Sequence, residues 1–135
     1  MIGILSQSLE ESFKSDPRFE GKTSYIMAAY VRYMEASGAR VVPIIYDEPF
    51  ETIKEKLSHI DAVLFPGGDG DYLDMGGRIF DEIIRMNDEG TFYPAWGTCL
   101  GYESILSYTT KAGLDILNTY DIHKVSLPLK FTKDP

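Results

Sequence analysis

At 135 residues the chain is long enough for one domain with a real core, and its formal net charge is −8. A hydrophobic fraction of 44%, with nine tyrosines, seven phenylalanines and one tryptophan, suits a folded globular protein rather than a disordered one. The acidic balance excludes a nucleic-acid partner, whose binding protein needs a basic surface to release counterions, and the scattered lysines and arginines form no polybasic run for an anionic membrane.

The elements follow in chain order. Met1 leads straight into Ile2-Gly-Ile-Leu5, a continuous apolar run that reads as a strand buried on both faces and not as a signal peptide. Ser6 to Lys22 is polar and reads as a long loop. Tyr25 to Ala36 carries Ile26, Ala29, Tyr30, Tyr33 and Met34 at helical spacing, and Gly38 follows as its C-terminal cap. Val41-Val-Pro-Ile-Ile45 is the second strand, with Pro43 marking an edge or a bulge. Phe50 to Leu57 reads as a short charged helix and Ala62-Val-Leu-Phe65 as a third buried strand. Ile79 to Met86 is amphipathic, with Ile79, Phe80, Ile83 and Ile84 on one face. Phe92 to Trp96 is the fourth strand, and Glu103 to Tyr108 the next helix. Strands alternating with helices predict an α/β fold, a parallel sheet with helices on both faces joined by right-handed crossovers. No apolar run approaches the roughly 20 residues needed to span a bilayer. One cysteine excludes an internal disulfide. No cluster of His, Cys and Asp has ligand spacing, so neither metal nor organic cofactor is expected.

In such folds ligands sit outside the carboxyl ends of the strands. Two glycine-rich turns fall there: Phe65-Pro-Gly-Gly68, and Gly97-Thr-Cys-Leu-Gly101 around the single thiol. The G-x-C-x-G spacing is the cysteine counterpart of a strained strand-to-helix elbow. It predicts Cys99 at a helix N-terminus, where the positive end of the dipole favours thiolate over thiol. The N–H of Leu100, with one from Gly67 or Gly68, is placed to bind a developing oxyanion. Nucleophile and oxyanion donors together imply acyl transfer. The competing reading is that a lone Cys is a small buried hydrophobe; the flanking glycines and the second Gly-Gly turn weigh against it.

Several stretches carry a family resemblance: Ile2-Gly-Ile-Leu5, Ala28 to Pro43, Val63-Leu-Phe-Pro-Gly-Gly68, Tyr93-Pro-Ala-Trp-Gly-Thr-Cys-Leu-Gly-Tyr-Glu103 and Leu127-Pro-Leu-Lys-Phe-Thr132. The chain resembles the gamma-glutamyl hydrolases, enzymes of folate polyglutamates within the class I glutamine amidotransferase-like superfamily, whose fold is a flavodoxin-like three-layer sandwich. The resemblance implies Cys99 as nucleophile, attacking a gamma-glutamyl amide to form a thioester that water cleaves. It implies Gly68 and Leu100 as the oxyanion donors. Glu103 lies one helical turn past Cys99 on the same face. Amidotransferases generally carry Gln there, so Glu103 favours the hydrolase, and the competing reading is a surface carboxylate favoured by the helix dipole. Asp69 and Asp71 read as loop-solvating residues.

The family's catalytic histidine comes from a Trp-His-Pro-Glu-like motif, which this sequence lacks. His59 reads as a solvated loop residue on the far side of the sheet, and His123 as lying on the approach to another strand at Val125–Leu129. The resemblance implies that residues 1–135 match the N-terminal portion of a single longer domain. An incomplete parallel sheet leaves an edge and an apolar face open, predicting association as a homodimer or larger assembly. The resemblance further implies a small-molecule gamma-glutamyl substrate and a lysosomal, vacuolar or secreted setting. Two alternatives stand beside the hydrolase. One is a glutamine amidotransferase subunit; the other is a non-enzymatic interaction or structural protein built on a truncated hydrolase domain.

Overall fold

The computed structural model describes residues 1–118, 120–122 and 125–132. Apolar Ile2–Leu5 forms β1, and Gln7–Ser8 the short β2. A single helical turn, α1 (Glu11–Lys14), and a 3-10 turn at Pro17–Phe19 lead to β3 (Ser24–Tyr25). Then come α2 (Ala28–Ala36), β4 (Val41–Ile44), α3 (Phe50–Leu57), β5 (Ala62–Phe65), α4 (Leu73–Asp88), β6 (Ala95–Gly97) and α5 (Leu100–Thr110). A 3-10 turn at Gly113–Ile116 follows.

Four strands form a parallel sheet in the order β4-β1-β5-β6, with helices on both faces. Pro43 lies on the edge strand β4, where its missing N–H costs the sheet nothing, as the sequence predicts. The chain steps from β1 out to β4 and returns past β1 to β5, so the order reverses beside β1. In sheets of this kind ligands bind outside the carboxyl ends of the strands.

The core lies on the side of α3 and α4. Val63 and Phe65 of β5 pack with Ile53, Leu57, Ile79 and Ile83, all nearly inaccessible to solvent. Each such side chain contributes about 1.5–3 kcal/mol by leaving water. The opposite face is thinner. There Ala62 and Leu64 look toward Tyr33 and Met34 of α2, a helix with no buried residue, and Trp96 stays 60% exposed.

Several boundaries differ from the sequence reading. The polar stretch after β1 is not simply a loop: Gln7 and Ser8 pair antiparallel with Tyr25 and Ser24. Tyr25 therefore belongs to a strand, and α2 begins only at Ala28. Helix α4 starts at Leu73, six residues before the predicted Ile79, because Gly76 and Gly77 hid its first turns. The Tyr108 hydroxyl of α5 sits where a Cβ on Gly76 would be, so these glycines let two helices meet. The fourth strand is Ala95–Gly97, later than Phe92–Trp96, and α5 is longer than predicted at both ends. Residues 125–132 form no strand; Val125, Leu127, Leu129 and Phe131 are exposed, and no described strand pairs with them. His123 lies outside the described residues. Among the described residues no helix is long and apolar enough to cross a membrane.

Candidate active site

Phe65 stands opposite Gly97 in the β5–β6 ladder, so the turns that leave these strands emerge side by side. Cys99 is the residue immediately before α5, with φ 54° and ψ −120°. An L side chain in that region costs on the order of 1–3 kcal/mol and persists only where the surroundings enforce it. Here they do. Thr98 N–H donates to the Phe65 carbonyl at 3.2 Å, and the Cys99 carbonyl accepts from Tyr102 and Glu103 N–H at 2.9 and 3.1 Å. Gly101 packs on Phe65 so closely that a Cβ would overlap the Phe65 carbonyl oxygen. The result is the sharp strand-to-helix turn that the G-x-C-x-G spacing predicts, with the thiol exposed rather than buried.

The neighbouring turn, Pro66 to Asp71, is tied down by side chains. Tyr72 donates to the Pro66 carbonyl at 2.7 Å. Gly67 N–H donates to the Tyr30 hydroxyl at 2.9 Å. The buried Gln7 donates through Nε2 to the Gly67 carbonyl at 3.0 Å and accepts through Oε1 from Gly70 N–H at 3.2 Å. Asp71 N–H donates to Ser8 Oγ at 2.7 Å. Asp69 N–H points at Glu10 Oε1 at 3.4 Å, and the same oxygen accepts from the Tyr25 hydroxyl. Burial, and then the Glu10 carboxylate, push the Tyr25 phenol well above its ordinary range, so it stays a donor.

Between the two turns lies a cleft of about 380 Å³, whose lining includes Gly68, Asp69, Asp71, Cys99, Leu100 and Glu103. That volume suits a small-molecule site. Gly68 and Leu100 N–H donate to no described group. Both border the cleft with Cys99, so the structure brings together all four of the predicted site residues Cys99, Glu103, Gly68 and Leu100. Gly67, the other candidate donor, is ruled out because Tyr30 engages its N–H. Asp71 Oδ1 accepts from Leu73 N–H at 2.9 Å, which supports its loop role. Glu103 is half-buried and its carboxylate has no described partner. His59 is exposed in the turn that enters β5, at the opposite end of the strand from Gly68. Among the described residues no group of three or more His, Cys, Asp or Glu side chains is placed to hold a metal ion.

The sequence reading missed Gln7 and Tyr30. Neither sits in a glycine-rich turn, and only the fold carries them there, from 60 and 37 residues away.

Comparison with known proteins places this geometry in a family. The profile of the peptidase C26 family matches residues 1–74, which include the first turn. Gamma-glutamyl hydrolase B of Dictyostelium discoideum is 37% identical over 98% of this chain, and that match covers 38% of its own length. Gamma-glutamyl hydrolase 1 of Arabidopsis thaliana is 38% identical over 97% of the chain and 38% of its own length. The human gamma-glutamyl hydrolase is 35% identical over 98% of the chain and 41% of its own length. These alignments extend through the Cys99 turn, and the chain spans about two fifths of the length of these relatives.

Proposed function

The chain belongs to the peptidase C26 family, and on that footing we propose that it carries the nucleophile and oxyanion donors of a cysteine hydrolase acting on gamma-glutamyl bonds. The observation that supports this best is the backbone of Cys99, held at φ 54° on one cleft with two N–H groups, of Gly68 and Leu100, that donate to no described group. A strained backbone under an exposed thiol fits the strand-to-helix elbow of a nucleophile better than it fits a buried structural cysteine.

In this mechanism the Cys99 thiolate attacks the carbonyl carbon of a gamma-glutamyl amide. The carbonyl electron pair moves onto oxygen, and Gly68 and Leu100 N–H donate to that oxyanion. Collapse of the tetrahedral adduct expels the amine, which takes a proton from a general acid, and leaves a thioester on Sγ. Water then attacks the thioester, releasing the gamma-carboxylate and restoring the thiolate. No described imidazole reaches the cleft, so the proton transfers are assigned to a group outside the described residues. By likeness to its relatives, which are gamma-glutamyl hydrolases, the substrate is a gamma-glutamyl compound; folyl poly-gamma-glutamates are the class we favour, in a lysosomal, vacuolar or secreted setting.

The test uses the side-chain p-nitrophenyl ester of an N-acylated glutamate, whose leaving group departs without a proton. A burst of one p-nitrophenolate per chain, with the acyl group found by mass on Cys99 and absent in Cys99→Ala, is expected. A burst that survives Cys99→Ala, or none at all, overturns the proposal and returns the fold to a binding role.

A further inference from the structure

Gln7 is fully buried, yet both ends of its amide bond to the backbone of a loop 60 residues away. Its orientation follows from its partners, since the Gly67 carbonyl needs a donor and Gly70 N–H needs an acceptor. The Gly67 carbonyl and the Gly68 N–H belong to one peptide unit. That unit is planar and trans, so its C=O and N–H point in opposite directions. Holding the carbonyl inward on Gln7 Nε2 therefore turns the Gly68 N–H outward.

The rest of the loop leaves this peptide no other anchor. The preceding unit is held at both ends, its carbonyl by the Tyr72 hydroxyl and its N–H by Tyr30. The N–H groups of residues 69, 70 and 71 go to Glu10, Gln7 and Ser8. From Gly67 to Asp71 only the Gly68 N–H donates to no described group, and it borders the cleft with Cys99. Gly68 has φ +145°, open to glycine alone, and a Cβ there would overlap the Gln7 amide. The side chain and the glycine fit one another.

We propose that Gln7 is a positioning residue for the hydrolase reading above, on which this inference rests: its amide aims the Gly68 N–H at the oxyanion. A donor preorganised in this way gives up no reorganisation energy as charge develops, and losing one costs about 10²–10³-fold in rate.

The experiment compares two reactions of the same thiol. Acylation by the p-nitrophenyl ester develops a carbonyl oxyanion, whereas alkylation by iodoacetamide is displacement at saturated carbon and develops none. In Gln7→Met, which keeps the volume and removes both hydrogen bonds, acylation should fall about 10²-fold while alkylation stays within about twofold. Gln7→Glu keeps the acceptor and loses the donor at neutral pH. Its acylation-to-alkylation ratio should recover as pH falls, because a protonated carboxyl donates to Gly67 as the amide did. The titratable groups around the loop (Glu10, Tyr30, Asp69, Asp71, Tyr72 and Cys99) are common to the unsubstituted chain, whose own profile is the reference. Equal loss of both reactions, loss of neither, or no recovery at low pH overturns the proposal. Should both variants fail to fold, the unsubstituted chain decides. A peptide aldehyde that adds to Cys99 must shift the Gly68 amide proton, with the Gln7 amide protons slow to exchange, and an unshifted Gly68 sinks the inference. A burst that survives Cys99→Ala is a different failure, that of the nucleophile reading itself.

Discussion

The turn from Pro66 to Asp71 and the turn from Gly97 to Gly101 leave adjacent strands at the same end of the sheet, but different forces hold them. Gln7, Ser8, Glu10, Tyr30 and Tyr72 bond the first turn through their side chains. Among the described residues the backbone of the second turn takes one side-chain tie, from Ser104 Oγ to the Leu100 carbonyl at 2.7 Å. Otherwise it is set by backbone bonds to Phe65 and within α5, and by the missing Cβ of Gly101. A reactive side chain needs open space around it, so its turn is shaped from behind by backbone. A backbone donor needs a fixed peptide plane, and side chains can supply that from any part of the chain.

The sharpest way to break this contrast is Gly101→Ala. The new methyl would overlap the backbone of Phe65 in an interior strand of the sheet, and a strand paired on both sides cannot move aside. Overpacking usually costs about 1–3 kcal/mol; with no flexible side chain to yield, a loss of at least about 3 kcal/mol is expected in urea unfolding. An unchanged midpoint would mean that α5 can lift off β5, and that close backbone contact does not set the elbow.

Legibility in the sequence follows the same division. The elbow depends on residue types a few positions apart, so Gly97, Cys99 and Gly101 announce it together. The apolar runs of β1 and β5 likewise declare a sheet buried on both faces, and Pro43 an edge. Gln7 could not be recognised this way, because a lone glutamine in a polar stretch resembles any loop residue until β1 carries it beneath Gly67. The start of α4 was hidden by Gly76 and Gly77, whose propensity argues against helix; the contact with Tyr108 that overrides it comes from another helix. What was legible is local, and what was not depends on pairs of residues distant in the chain.

A second measurement concerns the side-chain ties. Tyr72→Phe leaves the Pro66 carbonyl without its donor in a buried setting, at a cost of about 1–3 kcal/mol. It should spare alkylation of Cys99. Alkaline pH probes the same ties. Burial raises the Tyr72 phenol, and it raises Tyr108, which donates to the Leu73 carbonyl, from 10.0 to about 12. With folded values above unfolded ones, the folded chain keeps protons that the unfolded chain releases. This stability is complete below pH 10 and is lost as pH rises toward 12. Tyr72→Phe should make the decline shallower, and an identical slope in both chains would remove Tyr72 from the account.

The smallest effect on stability belongs to Glu103, and its effect on chemistry decides what the residue is for. Its carboxylate stands in the first turn of α5, where the helix dipole favours a negative charge by about 0.3–1 kcal/mol. Glu103→Gln should therefore lower the melting temperature by no more than a few degrees. If the charge serves only the helix, acylation by the gamma-glutamyl ester will be unchanged. If the carboxylate positions substrate, kcat/KM should fall about 10- to 10²-fold, the scale of one hydrogen bond to a charged group. Charge complicates the comparison, because Asp69 and Asp71 line the same cleft and a polyglutamate tail is itself anionic. Removing one carboxylate then weakens repulsion as well as removing a contact. Ionic strength separates these effects. Going from about 0.01 to about 0.1 M shortens the screening length from about 30 to about 10 Å and should lower KM for an anionic ester more in the unsubstituted chain than in Glu103→Gln. A hydrogen bond made at contact distance is far less sensitive to salt. A loss in kcat/KM that persists at the higher ionic strength would thus assign Glu103 to the substrate, whereas a loss absent at both would leave it to the helix.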